Sequence, residues 1–227
     1  MDAVSRALLD AQNKADALFR EVAESGMIRA GRWDSELTRD IHALARARFG
    51  LSRHWHQRIV RSGPNTLLTY HDTPVDRAMT DDDIVYLDFG PVFGEWEADF
   101  GRTYVLGSDP VKHRLTQNLS EAFARGKDFF QRSATLTAGQ LYDHVVELAR
   151  EYGWEFGART AGHLVGHFPH ERPANNSTRF SIRSGNPTPL REPDANGNTR
   201  HWILEIHFVD RQRQFGGFLE ELLTVDG

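Results

Sequence analysis

Cysteine is absent from the 227-residue chain. That excludes disulfides and thiolate metal sites, so any metal ion must rest on Asp, Glu and His. Long apolar runs are absent too: nothing approaches the roughly 20 consecutive apolar residues that cross a bilayer. Residues 1–19 are broken by acids every few positions and lack the charged start and apolar middle of a signal peptide. The expectation is a cytoplasmic protein with no membrane partner. Positive charge is not in excess, with 27 Lys and Arg against 32 Asp and Glu and a net charge of −5. No basic stripe with interleaved aromatics occurs, so nucleic acid is not an expected partner.

What is present is an ordinary globular composition, 39% hydrophobic and 26% charged, enough for a core in one large domain or two small ones. Apolar positions at Val4, Leu8, Ala11, Ala15, Leu18 and Val22 predict an amphipathic helix over 2–24. Asp34 or Ser35 opens a second helix to about Arg48, with Gly50 as its stop. Residues 65–70 read as a short strand and 84–90 as a buried one. A turn containing Gly94 leads to a partner strand over 99–106. Helices follow over 110–132 and 137–152, then a histidine-rich stretch over 160–171. An irregular loop rich in Asn, Pro, Gly and Arg spans 172–200, a length usually functional or mobile. Strands over 202–209 and 217–225 close the chain. Helices interleaved with antiparallel hairpins predict an α+β or mixed α/β class.

Four pieces carry chemistry. Asp88 lies in Val-Tyr-Leu-Asp-Phe-Gly, and Asp99 follows eleven positions later, on the other arm of the predicted hairpin. Either acid alone is as easily a strand-end partner of arginine or backbone N–H. Two facing acids in apolar strands call for a cation between them. His163 sits in Gly-His-Leu-Val-Gly, where small neighbours permit close approach, and His170 follows seven positions on. Alternation places Glu205 and His207 on one face of an apolar strand, Ile206 and Phe208 on the other. Glu220, beside Glu221, is in isolation a solvated strand edge.

Taken in order, these pieces resemble the ligand signature of the pita-bread metallopeptidases, family M24, which include methionine aminopeptidases, aminopeptidase P, prolidase and creatinase. The resemblance covers about residues 20–225. It implies a curved, mainly antiparallel sheet covered by helices with pseudo-two-fold symmetry, in one catalytic domain over 1–227 that lacks the N-terminal domain of the creatinase type. It implies metal ligands at Asp88, Asp99, His163, Glu205 and Glu220. His71, in His-Asp-Thr-Pro, and His170 match substrate-contacting histidines. Glu205 matches the proton-passing glutamate. Such oxygen-rich ligation favours two divalent ions, Mn, Fe or Co, with Zn also admitted. Glu171 becomes a candidate to orient His170, and His167 a candidate to line the pocket.

The function so implied is an aminopeptidase, Xaa-Pro aminopeptidase-like, in which a metal-bridging hydroxide attacks the N-terminal amide bond of a peptide. The motif style favours aminopeptidase P, while the one-domain length points toward methionine aminopeptidase. The sequence departs from the family where Glu205 is followed by Ile206-His207 and in the long 172–200 loop. Both leave open a small-amide hydrolase or a lyase on the same scaffold. A non-catalytic binding protein fits poorly with five filled ligand positions. A homodimer remains open.

Overall fold

The computed structural model describes residues 1–172 and 178–225. Helix α1 (Ala3–Glu24) is capped by Asp2, whose side chain accepts from Ser5 N. Its buried face is Leu8, Ala11, Ala15, Leu18 and Val22, while Val4 is exposed. Helix α2 (Asp34–Phe49) ends at Gly50, which takes the left-handed φ of 62° that glycine adopts without steric cost. Its cap is Trp33 rather than Asp34 or Ser35. Asp34 turns inward instead, accepting from Ser62 Oγ at 2.7 Å and Ser62 N at 3.3 Å.

The strands are β1 (Ile59–Ser62), β2 (Ile84–Phe89), β3 (Val92–Phe93), β4 (Trp96–Glu97), β5 (Phe100–Val105), β6 (Glu155–Phe156), β7 (Leu164–Val165), β8 (His201–Asp210) and β9 (Phe215–Leu222). Helices α3 (Pro110–Arg132) and α4 (Ala138–Glu151) lie between β5 and β6 in the chain. The main sheet runs β1-β2-β5-β9-β8-β6, with β7 pairing to β8, and every pairing is antiparallel.

Strand alternation divides the sheet into two unlike faces. Val85, Leu87, Phe89 and Phe100 pack with the apolar faces of α1 and α2. Leu204, Ile206, Phe208 and Leu219 pack with Leu119, Phe123, Val145 and Leu148 of α3 and α4. The opposite face carries Tyr86, Asp88, Glu205, His207, Phe218 and Glu220. The helices thus anchor the sheet on one side and leave the acids on the other.

One strand falls elsewhere than expected. Residues 65–70 are not a strand: Gly63–Leu67 is a 3-10 turn with Pro64 at its start, and the strand comes earlier, as β1. Pro64 offers no N–H to a ladder. Arg61 hid β1 by breaking its apolar pattern, yet it is buried and its Nη2 donates to the carbonyls of Thr69 (2.8 Å) and Asp72 (2.9 Å). The 172–200 segment is irregular where it is described, with one 3-10 turn at Thr178–Phe180, and it is packed against the domain. Phe180, Ile182 and Leu190 enter the core beside α3 and α4. Asn186 Nδ2 donates to Ser181 O at 2.7 Å, and Trp202 Nε1 donates to Leu190 O at 2.8 Å. Residues 173–177 of that expectation lie outside the described residues. Among the described residues no helix is long and apolar enough to cross a membrane.

Candidate metal centre

One row of residues crosses five strands of the sheet. Ile59 opposes Asp88, Asp88 opposes Gly101, Gly101 opposes Glu220, and Glu220 opposes Glu205. Partners in a row sit one strand spacing apart, about 4.8 Å, and their side chains leave the same face. Three of the five are acids. Gly101 stands between two of them, where a Cβ would press on the Phe218 ring at 2.6 Å and on Glu220 Cβ at 3.0 Å. The missing side chain opens the hollow the acids share. Asp99, two residues before Gly101, points into the same hollow.

Asp99 is the hub. Its Oδ2 lies 3.2 Å from His163 Nε2, and its Oδ1 lies 2.9 Å from His56 Nε2. His163 Nε2 is also 3.6 Å from Glu205 Oε1, and His56 Nε2 is 3.6 Å from Asp88 Oδ1. Asp99, His163 and Glu220 offer donor atoms all within 4.8 Å of one another, and so do His56, Asp88 and Asp99. His163 is delivered by the turn before β7. There Gly162 holds φ at 133°, and a Cβ would meet the carbonyl of Ile203. Glycine is required at that position for the backbone to lie against β8.

The electrostatics match a site built around a cation. Burial raises Asp88, with Asp99 and Glu205 adding to the shift and His56 opposing it. Glu205 is raised by burial and by Asp99, against the pull of His163. Asp99 goes the other way. Burial opposes its charge, but His56 and His163 outweigh that and hold it below the usual range. Burial works against charge on His163 as well, yet Asp99 and Glu205 lift it to about 9. The deciding atom is Glu220 Oε2, buried with no hydrogen-bond partner. A buried carboxylate oxygen without a partner is costly, and a divalent cation would supply one. The donor set of carboxylates and imidazole suits such an ion.

A prediction follows for the metal-free protein. Burial, then Asp99, Asp88 and Glu205, hold Glu220 well above the ordinary carboxyl value of 4.5. The folded chain therefore keeps a proton that the unfolded chain has released. The stability this gives is fully present below about pH 4.5 and is lost as pH rises through the raised value. Glu220→Gln keeps the neutral shape at all pH. In chelator at neutral pH it is expected to melt higher than wild type, by about 2–4 °C per kcal/mol recovered, and the two should converge near pH 4.5. Paired melts at the two pH values check this; a lower melting point for the variant at neutral pH would refute it.

The remaining expected residues are placed unequally. His170 lies beside the hollow, its ring 6.1 Å from that of His163 and 5.3 Å from that of Trp55. Its orienting partner is not Glu171, which pairs with Arg200 at 2.9 Å. It is Glu97, buried in β4, whose Oε2 accepts from His170 Nδ1 at 2.7 Å and from Gly166 N at 3.1 Å. His71 is exposed and packs on Tyr70, whose ring in turn meets His56. The structure does not bring it into the carboxylate cluster. His167 is half-exposed against Trp96 and Glu95. His207 belongs to the sheet interior: its Nε2 bonds Thr66 O at 2.8 Å, and burial lowers it to about 4.

The model of metallopeptidase family M24 matches residues 6–222. The chain belongs to metallopeptidase family M24. An Xaa-Pro dipeptidase of Pyrococcus furiosus is 30% identical over 117 residues, covering 51% of this chain and 33% of that protein. Dipeptidase PepE of Mycobacterium ulcerans superposes with a TM-score of 0.73 at 26% identity, over 97% of this chain and 56% of the other. Methionine aminopeptidase of Rickettsia prowazekii superposes at 0.72 with 16% identity, over 96% and 92%. The M24 chain thus has the pita-bread fold, and it spans about a third of the length of the curated relative it matches.

Proposed function

We propose that this M24 chain is a dinuclear-metal-dependent aminopeptidase that hydrolyses the N-terminal amide bond of peptides, with Xaa-Pro substrates preferred. The carrying observation is that Asp88, Asp99, His163 and Glu220 converge on one hollow, with Glu205 beside His163 and opposite Glu220 and a buried carboxylate oxygen left unpartnered. Support for the substrate class comes from the name of the Pyrococcus relative, an Xaa-Pro dipeptidase.

Bound divalent ions, with Mn, Fe or Co suited to these donors, would acidify a water at neutral pH and polarise the scissile carbonyl. The chain's own residues do the rest. Glu205, the least buried acid of the hollow with its side chain 14% exposed, takes a proton from the attacking water and passes it to the leaving amine. Glu97 fixes the ring of His170 by accepting from Nδ1–H; with both ring nitrogens protonated, Nε2–H is left to donate to the substrate carbonyl oxygen, where a donor stabilises the developing charge. His71 is proposed to reach the substrate from the exposed side. Trp55, against both His163 and His170, shields the approach.

The test is hydrolysis by Mn- or Co-loaded protein of an Xaa-Pro peptide and of a Met-Ala-Ser peptide. Cleavage of the first supports the proposal. Cleavage of the second alone moves the specificity to the methionine branch. Metal uptake with neither peptide cut moves the activity to a small amide or lyase substrate. Glu97→Gln is expected to lower kcat about 10- to 100-fold while metal content stays unchanged. A parallel loss of metal would make Glu97 a general structural support instead.

A further inference from the structure

We propose that His56 is a sixth protein ligand of the metal centre, giving the ion held by Asp88 and Asp99 an imidazole of its own, as His163 serves the ion held by Asp99 and Glu220. The inference rests on the metal-dependent reading above and concerns a residue outside the five matched positions.

The two histidines are arranged alike. His163 Nδ1 lies 2.7 Å from Leu164 O, and His56 Nδ1 lies 2.6 Å from Gln57 O. A carbonyl oxygen only accepts, so each Nδ1 carries the hydrogen. In the neutral ring, the form that ligates a metal, each Nε2 is then the lone-pair nitrogen, and each is aimed at a different oxygen of Asp99. A histidine that donates its outer N–H to a backbone carbonyl has its ring direction and tautomer fixed for ligation. At His56, three electron-rich atoms converge: Nε2, Asp99 Oδ1 and Asp88 Oδ1. A hydrogen on Nε2 bridges to Asp99 in the metal-free chain, and a divalent cation in its place would take all three atoms as donors.

The surroundings hold His56 there. Its side chain is 6% exposed. The Trp55 ring lies against it at 4.6 Å, and Trp55 N donates to Gly90 O at 2.9 Å. Trp55 Nε1 donates to Ala98 O, beside Asp99, at 3.1 Å. Gly90 closes the arrangement, since a Cβ there would run into the His56 ring and Trp55 Nε1. The segment 54–56 is thus tied at both ends of the Asp88–Asp99 hairpin, and the absent side chain at Gly90 makes room for the imidazole. A second nitrogen donor also shifts the centre's preference along the divalent series toward ions that favour imidazole, Zn among them.

The experiment is cobalt titration of the full chain by calorimetry, with visible absorption of the bound cobalt, for wild type, His56→Ala, His56→Gln and His163→Ala. Wild type is expected to take up two ions. Both His56 variants should bind one ion as wild type does and the other at least about tenfold more weakly, with the absorption bands altered. His163→Ala should weaken the complementary ion and leave the bands of the His56 ion. Melts of the metal-free variants check folding, and His56→Gln keeps the test open if the alanine variant fails to fold. Two ions bound with wild-type affinity and bands in both His56 variants would overturn the assignment of His56 alone. No cobalt uptake by folded wild type would overturn the metal reading itself, and His56 with it.

Discussion

Exchanging Asp99 for asparagine is expected to empty the metal centre in one step. The carboxylate divides its oxygens between the two halves of the site, one facing His56 and one facing His163. Asparagine keeps one oxygen and replaces the other with an NH2 group that carries hydrogens and cannot ligate. Whichever way the amide turns, one half loses a ligand and the other loses the bridging charge. We expect both ions to bind at least about 100-fold more weakly, with hydrolysis lost in proportion. Elemental analysis after gel filtration, against wild type, is the measurement. Retention of two ions per chain by Asp99→Asn would remove Asp99 from the hub. The same site should tie stability to metal. With free metal at 100 times its Kd, each ion adds about 2.7 kcal/mol, a margin Asp99→Asn gives up.

Glu205→Gln is expected to act on turnover more than on binding. Glu205 is the acid on the more open edge of the hollow, its side chain 14% exposed beside His163. Gln keeps one ligating oxygen but cannot take a proton. The expected loss in kcat is about 10²- to 10⁴-fold, with KM for the peptide changed little. Single-turnover assays with metal in excess separate this from metal loss. Activity unchanged in the variant would sink the proton-transfer role. The contrast with Asp99→Asn is the useful one, because occupancy falls there and persists here.

Much of this was readable in the amino-acid order because strands write their faces as alternation. Asp88 inside Val-Tyr-Leu-Asp-Phe and Glu205 inside Ile-Leu-Glu-Ile are single acids in apolar strands, and the eleven-residue spacing of Asp88 and Asp99 marks one hairpin. Glu220 was ambiguous beside Glu221. Only the register opposing Glu220 to Glu205 and Gly101 separates the inward acid from its neighbour, which pairs with Arg102.

The residues not readable are those brought in by loops. His56 lies in a segment of no periodicity, and its place depends on the contact of Trp55 with Gly90 and Ala98, more than thirty residues away. The pair of histidines flanking Trp55 was the available signal. Glu97 reads as one of several acids around a turn, and its burial against His170 follows from β4 meeting the 166–170 segment. β1 was hidden by Arg61, a charge that pays for its burial with two carbonyl hydrogen bonds.

The row from Asp88 through Gly101 to Glu220 and Glu205 has a consequence for biosynthesis. The donors come from strands that are neighbours in space but far apart in the order of synthesis, with Asp88 and Asp99 made early and Glu220 made last. A growing chain that has completed β5 carries His56, Asp88 and Asp99 and still lacks His163, Glu205 and Glu220. His163 and Glu205 follow with β7 and β8, and Glu220 comes last, on β9, whose place in the sheet is between β5 and β8. On the proposed ligand set, an ion shared by Asp99, His163 and Glu220 would be captured only once the last strand is made. Such an ion, tightly held, would report that β5, β9 and β8 stand side by side in the right register.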